Sequence, residues 1–319
     1  MASDTPHLGI DLGGTNIQAG LVVGGKVVER DDTKTRAEDG LDAVLGRIVK
    51  LAEGLADARG IKLKDLGGAG IGAPGAIDIE TRTVDVAVNL GWRDVPLGKL
   101  LEKKLGVPVT VDNDVNVGVW GERVGGAGKG FNDVLGVFVG TGIGGGLVLD
   151  GKLVHGHFMS AGEIGHTVMK ADAPLGRRTL EDLASRTNIV RHLLHLIDTG
   201  HPSTLLDIAD GDRSRIRSKV LSKAVQRKDA LVLEVVQDAA HYLGIAIANM
   251  VTMLSLPCVV VGGGLTEATG GTWIRAVRRS FAEHVFPPRL GDDVKLVAST
   301  LGDDAGVLGA AELAKSRLG

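Results

Sequence analysis

Ile10-Asp11-Leu12-Gly13-Gly14-Thr15 and Val139-Gly140-Thr141-Gly142-Ile143-Gly144-Gly145-Gly146 are two glycine-rich turns of one design. Apolar runs flank both: Leu8 to Ile10 and Leu21 to Val23 around the first, Val134 to Val139 and Leu147 to Leu149 around the second. The pattern predicts strand, tight turn, strand, occurring twice. Glycines let the backbone approach a phosphate and present its N–H groups, and Thr15 and Thr141 add hydroxyl donors. A repeated hairpin of this kind predicts two similar half-domains holding one polyphosphate, and hence a nucleotide-using enzyme.

Working outward, the 319 residues exceed the size at which one core usually splits, so two domains are expected. Hydrophobic residues make up 44% and charged residues 24%, the balance of an ordinary globular chain. Glycine is in excess, at 48 residues, about double the usual share of ~7%. These glycines read as discrete turns between apolar runs. A net charge of −3 gives no nucleic-acid footprint. The single cysteine, Cys258, excludes a disulfide framework and a cysteine-rich zinc site. Met1 to His7 lack a basic stretch followed by an apolar one, so no leader peptide is expected. No apolar run approaches the ~20 residues that span a bilayer. No membrane partner and a cytoplasmic location are therefore expected.

Helical spacing runs over Leu41 to Ala58, stopped by Gly60, and over Leu97 to Leu105, stopped by Gly106. Ala69 to Ile71 reads as a buried strand ending in Gly72-Ala73-Pro74-Gly75. Val107 to Val111 reads as another, running into Asp112-Asn113-Asp114 where a helix should start. Gly125 to Gly130 is a candidate hinge. Helices are expected over Leu180 to Leu196, Leu231 to Leu254 and Asp304 to Leu318, and a buried strand at Val259 to Val261 before Gly262-Gly263-Gly264. The basic stretch Arg213 to Lys228, diluted by Asp207, Asp210, Asp212 and Asp229, reads as a solvated helix face. Strands alternating with helices make the fold class α/β.

Asp11 sits inside the first phosphate turn. A carboxylate there repels phosphate unless a cation lies between them, so Asp11 is a candidate Mg²⁺ residue acting through water; alternatively it bonds its own turn. Asp112, Asn113 and Asp114 are three good N-caps for one helix start, and the surplus points to chemistry. A carboxylate at that place can take a proton from a substrate hydroxyl. Glu163 and His166, three apart, admit a metal pair, a sugar-hydroxyl clamp or an incidental surface pair. His155 and His157 lie nearby, but without cysteines or a further carboxylate at ligand spacing a metal cluster is not expected. Gly262 to Gly264 could let an adenine or ribose lie against the backbone.

Leu8-Gly-Ile-Asp-Leu-Gly-Gly-Thr15, Gly70-Ile-Gly-Ala-Pro-Gly75, Asn89-Leu-Gly-Trp92, Val111-Asp-Asn-Asp-Val-Asn116, Val139 to Gly146, Gly162-Glu-Ile-Gly-His166 and Val259 to Leu265 together resemble the ROK family of repressors and sugar kinases, and within it the bacterial glucokinases. The stretches follow family order over nearly the whole chain. The resemblance implies an actin-like ATPase (ribonuclease H-like) fold: two α/β domains with an inter-domain cleft, here 1–117 plus 300–319 and 118–299. It implies Asp114 as catalytic base toward the sugar's 6-hydroxyl. Asn113 and Asp114 would hold hydroxyls 3 and 4, Glu163, His166 and Glu181 hydroxyls 1 and 2, and the Gly75 backbone would line the same pocket. Asp11, Gly13, Gly14, Thr15, Gly140, Thr141, Gly142, Gly263 and Gly264 would serve ATP and Mg²⁺.

One departure is large. Family members carry a Cys-x-Cys-Gly-x-x-Gly-Cys zinc motif after the Glu-x-Gly-His histidine. Here Lys170 to Glu181 is shorter and has no cysteine, so no zinc is expected and something else must orient His166; Asp172 is the candidate. The expected activity is phosphorylation of glucose to glucose 6-phosphate by ATP, with Asn89 to Trp92 favouring glucose. Fructose, allose, N-acetylmannosamine or N-acetylglucosamine as acceptor, or polyphosphate as donor, are the alternatives. A non-catalytic sugar sensor is the rival of a different class, though the hairpin beginning at Leu8 leaves no place for a repressor's helix-turn-helix. A homodimer or homotetramer is expected from the resemblance.

Overall fold

Asp11, Gly72 and Asp112 stand in one row across three parallel strands of the computed structural model, which describes residues 5–319. Met1 to Asp4, part of the stretch read for a leader and of the expected first domain, lie outside the described residues. The chain begins β1 (His7–Leu12), β2 (Asn16–Val23), β3 (Lys26–Lys34), α1 (Leu41–Ala58), β4 (Gly68–Ala73), β5 (Ala76–Asp78), β6 (Thr83–Ala87) and β7 (Trp92–Val95). It continues with α2 (Leu97–Leu105), β8 (Val109–Asn113), α3 (Asp114–Gly125), β9 (Val134–Val139), β10 (Ile143–Leu149), β11 (Lys152–Leu153), α4 (Leu180–Ala184) and α5 (Arg186–Asp198). There follow α6 (Leu205–Ile208), α7 (Ser218–Gln226), α8 (Ala230–Leu254), β12 (Cys258–Gly262), α9 (Gly264–His284), α10 (Leu290–Asp293), β13 (Lys295–Ala298) and α11 (Asp304–Leu318).

The chain forms two compact units: residues 1–130, 146–161 and 300–319, and residues 131–145 and 162–299. The expected boundary at 117 falls inside α3, whose last turns pack on α11 within the first unit. The first unit's sheet has the order β3-β2-β1-β4-β8, with β1, β4 and β8 parallel and β2 and β3 antiparallel. Such a sheet gathers the ends of its parallel strands on one edge, the place where α/β folds bind ligands. A small antiparallel sheet, β5-β6-β7, follows the turn at Gly75. In the second unit β9, β12 and β13 are parallel.

Many of the glycines read as turns are instead places where backbones touch. A Cβ on Gly9 would lie 1.9 Å from the Val307 carbonyl, and one on Gly70 1.9 Å from that of Ala310, so α11 rests directly on β1 and β4. A Cβ on Gly121 would meet the Ala305 carbonyl at 2.1 Å, and one on Gly309 the Val117 carbonyl at 1.7 Å, where α3 and α11 cross. Hairpin-turn reasoning has no means of locating glycines that serve close packing across distant parts of the chain.

The helix expected over Leu180 to Leu196 is two helices. Ser185 leaves helical geometry (φ −68°, ψ 150°) and its hydroxyl accepts from the Asn188 N–H, starting α5 afresh. The long helix α8 matches the helix expected over Leu231 to Leu254. By length and composition it could cross a membrane, with a mean hydropathy of 1.4, but most of that window is buried inside the protein, much of it against α9. It reads as a core helix.

Candidate active site

In the first unit the β1–β2 hairpin closes as expected. The Gly13 N–H donates to the Asn16 carbonyl at 2.9 Å, and Gly14 and Thr15 are exposed at its tip. Thr35, fully buried at the end of β3, clamps the turn: its hydroxyl donates to the Gly13 carbonyl at 2.6 Å and its N–H to that of Thr15 at 2.9 Å. Asp11 precedes this turn. Burial, reinforced by the negative charges of Asp114 and Asp303, pushes its carboxyl up to about 7. Gly306 on α11 makes room for it, since a Cβ there would lie 2.5 Å from Asp11 Oδ2.

At the end of β8 the three capping candidates divide their work. Asn113 is the cap: its Oδ1 accepts from the N–H groups of Val115 (2.9 Å) and Asn116 (3.2 Å). Its Nδ2 donates to the Gly75 carbonyl at 3.1 Å, which leaves one amide hydrogen for a ligand. Gly75 turns there with φ 96°, and a Cβ on it would lie 2.0 Å from the Val86 carbonyl. Asp114, half-buried, opens α3 and accepts from the Val115 N–H at 2.9 Å.

Asp112 is only 2% exposed and serves structure. Burial raises its carboxyl, but hydrogen bonds and charge from His155 and Arg317 outweigh this and hold it below the usual carboxylate range. His155 Nε2 lies 2.8 Å and Arg317 Nη2 2.5 Å from its Oδ2, and its Oδ1 accepts from the Asn113 N–H and from Asn116 Nδ2. Residues from α11 and from the segment after β11 thereby fix the backbone that carries Asn113 and Asp114. Sequence reading assigned His155 no such role, because its partner is 43 residues away.

In the second unit the β9–β10 turn is braced by the start of α5. The Gly140 N–H donates to the Gly142 carbonyl at 2.9 Å, and the Arg186 N–H to that of Gly140 at 3.0 Å. Arg186 Nη2 reaches Thr141 Oγ1 at 2.7 Å, and the Thr187 hydroxyl donates to the Thr141 carbonyl at 2.7 Å. Glu181, expected at the sugar, accepts from the Ile143 N–H at 2.8 Å, and a Cβ on Gly142 would lie 2.3 Å from its Oε2. One carboxylate oxygen of Glu181 thus holds the second glycine turn.

Gly263 (φ 85°) folds against that turn; a Cβ on it would meet the Val139 carbonyl at 2.6 Å. Gly264 opens α9 beside it. The buried Ser218 Oγ has no hydrogen-bond partner and would lie 3.4 Å from a Cβ on Gly264. An orphaned hydroxyl next to a glycine cradle is a polar atom available to a ligand. Arg186 and Ser218 were passed over in the sequence because no motif marks them.

Glu163 and His166 share one 3₁₀ turn, with Oε2 and Nε2 3.9 Å apart and side chains 54% and 71% exposed. The acid beside the His166 ring is Glu163 rather than the expected Asp172, because a spacing of three on such a turn stacks the two side chains.

The ROK family model matches residues 7–317. A glucokinase of Halalkalibacterium halodurans is 36% identical over 99% of this chain and 96% of its own length. A glucokinase of Thermotoga maritima is 33% identical over 98% of both. The crystal structure of a ROK family glucokinase from Streptomyces griseus, in complex with glucose and AMPPNP, superposes with a TM-score of 0.85 at 30% identity, covering 98% of this chain and 99% of that one. The two α/β units have the actin-like ATPase fold of these sugar kinases. With its glycine turns, its helix-start carboxylate and its full-length likeness to these proteins, the chain belongs to the ROK family.

Proposed function

We infer that this chain is an ATP-dependent glucokinase, transferring the γ-phosphoryl group of ATP to the 6-hydroxyl of glucose. Full-length likeness to glucokinases carries the reading, and the geometry of each unit agrees with it. Asp114 accepts the proton of the 6-hydroxyl as the O6–phosphorus bond forms and the bond to the ADP oxygen breaks. Phosphoryl transfer has a loose transition state governed by positioning and charge, so Asp114 needs no unusual basicity. In the first unit the spare amide hydrogen of Asn113 and the Gly75 backbone are the proposed contacts for sugar hydroxyls; in the second unit the proposed sugar-binding groups are Glu163, His166 and the second oxygen of Glu181. Gly13 to Thr15 and Gly140 to Gly142 would receive phosphates, with Gly263, Gly264 and the orphaned Ser218 hydroxyl on the nucleoside side.

The donor set around Asp11 suits Mg²⁺. Its carboxyl is held up by burial and, in addition, by the charges of Asp114 and Asp303, and a hard divalent cation would relieve that repulsion. Bound Mg²⁺ neutralises phosphate charge, and Asp11 would hold it through water. A cytoplasmic location and association as a homodimer or homotetramer are part of the same proposal.

A coupled assay over glucose, fructose, allose, N-acetylmannosamine and N-acetylglucosamine, each with ATP and with polyphosphate, tests the reading. Glucose with ATP should give the highest kcat/KM by about tenfold or more, the discrimination expected when a paired hydroxyl is lost or displaced. A higher value for another hexose, or for polyphosphate, overturns it.

A further inference from the structure

Near the C-terminal end of α9, away in sequence from every residue assigned above, two imidazoles and a carboxylate converge. One ring nitrogen each of His241 and His284 and a carboxylate oxygen of Glu283 lie within 4.8 Å of one another. The two rings meet edge to face with centroids 5.3 Å apart. His241 is half-buried on α8, and Glu283 and His284 are exposed at the end of α9.

The hydrogen bonds of Ser280 select the tautomer of both rings. The Ser280 hydroxyl donates to the His241 carbonyl at 2.7 Å, a contact that requires its hydrogen. Its oxygen is also 3.1 Å from His241 Nδ1, so Nδ1 must be the donor there. His284 Nδ1 lies 2.7 Å from the Ser280 carbonyl, which can only accept, so that nitrogen also carries the hydrogen. With the hydrogen on Nδ1 in both rings, Nε2 is the nitrogen whose lone pair is left to bind a metal. Imidazoles that bind metals are typically held this way, with the second nitrogen donating to a carbonyl or hydroxyl oxygen. Gly244 permits the arrangement: a Cβ there would lie 2.7 Å from Ser280 Oγ and drive the serine away from α8.

We propose that His241, Glu283 and His284 form a binding site for a divalent transition-metal ion of the zinc class, with water completing the coordination. Two imidazoles and one carboxylate suit Zn²⁺, Ni²⁺ or Cu²⁺ rather than Mg²⁺ or Ca²⁺, which prefer oxygen throughout. Movement of the exposed Glu283 and His284 side chains can bring the ligand atoms to the ~2.0–2.2 Å of zinc coordination. The expectation of a zinc-free chain rested on the interval from Lys170 to Glu181, which these residues do not include.

The test is titration of tag-free, chelator-stripped full-length protein with Zn²⁺, using a competing chromophoric chelator, together with ¹⁵N spectra of histidine-labelled protein. One saturable Zn²⁺ per chain is expected, with the Nε2 resonances of two Nδ1-protonated histidines shifting on binding. His284→Ala should weaken that binding by more than the roughly 10–100-fold that loss of an outer-shell partner costs, and Glu283→Gln should weaken it measurably. His166→Ala should leave it unchanged, separating this site from the exposed Glu163–His166 pair. Both substitutions at 283 and 284 are at exposed positions, and unchanged circular dichroism would show the fold intact. Absence of saturable binding, binding that survives His284→Ala, or binding lost only with His166→Ala overturns the proposal.

Discussion

A carboxyl raised to about 7 means that Asp11 is partly protonated at neutral pH in the absence of ligands. Its usual value is 3.8, so the folded state binds the proton more tightly than the unfolded chain. Stability from this group is full below the unfolded value and falls as pH rises toward 7. Asp11→Asn removes the titration. Relative to the parent, the variant should therefore be more stable at pH 8 than at pH 5, by roughly 1–3 kcal/mol after allowance for its partial exposure. Thermal unfolding of the ligand-free proteins at the two pH values checks this, and an equal difference at both would count against a carboxyl raised by burial and by the charges of Asp114 and Asp303. Asn113 teaches a related lesson. Sequence reading offered Asp112, Asn113 and Asp114 as caps with a surplus, and the amide is the one that caps, which leaves Asp114 to begin the helix and Asp112 to anchor the strand end.

Helix α11 and helix α3 meet backbone to backbone, and this contact holds both the Asp11 strand and the Asp114 helix in place. Gly309→Ala would push a methyl group into the Val117 carbonyl of α3, where no flexible side chain can yield. Overpacking of this kind should cost about 2–4 kcal/mol and lower the melting temperature by several degrees. Differential scanning calorimetry reads it directly, and a loss under about 0.5 kcal/mol, the range of surface substitutions, would contradict the contact. The same crossing is fastened by Glu122, fully buried near the end of α3, which accepts from the N–H groups of Ala127, Thr300 and Leu301. A buried carboxylate serving three backbone donors ties the end of one helix to the approach of the other, a link that no local pattern in the sequence announces.

Across the whole molecule, local features were legible and long-range ones were not. Helices over Leu41 to Ala58, Leu97 to Leu105 and Asp304 to Leu318 match their apolar periodicity, because glycines or short loops end them cleanly. Both glycine hairpins match as well, since turn chemistry is local. The glycines that admit neighbouring backbones and the hold of His155 and Arg317 on Asp112 arise from partners tens to hundreds of residues away, whereas the break at Ser185 is a local cap hidden within a continuous helical pattern. The candidate site residues stand out in sequence where a motif concentrates them, as in Asn113-Asp114, whereas Arg186, which braces the second glycine turn, and the unpartnered Ser218 hydroxyl carry no such mark. The central claim is that this fold phosphorylates glucose with Asp114 as its base, and steady-state kinetics of Asp114→Asn with saturating glucose and ATP test it most directly. The account predicts that kcat falls by roughly 10²–10⁴ while circular dichroism and melting behaviour stay close to those of the parent. A kcat within about tenfold of the parent, a barrier change of only ~1.4 kcal/mol, would contradict it.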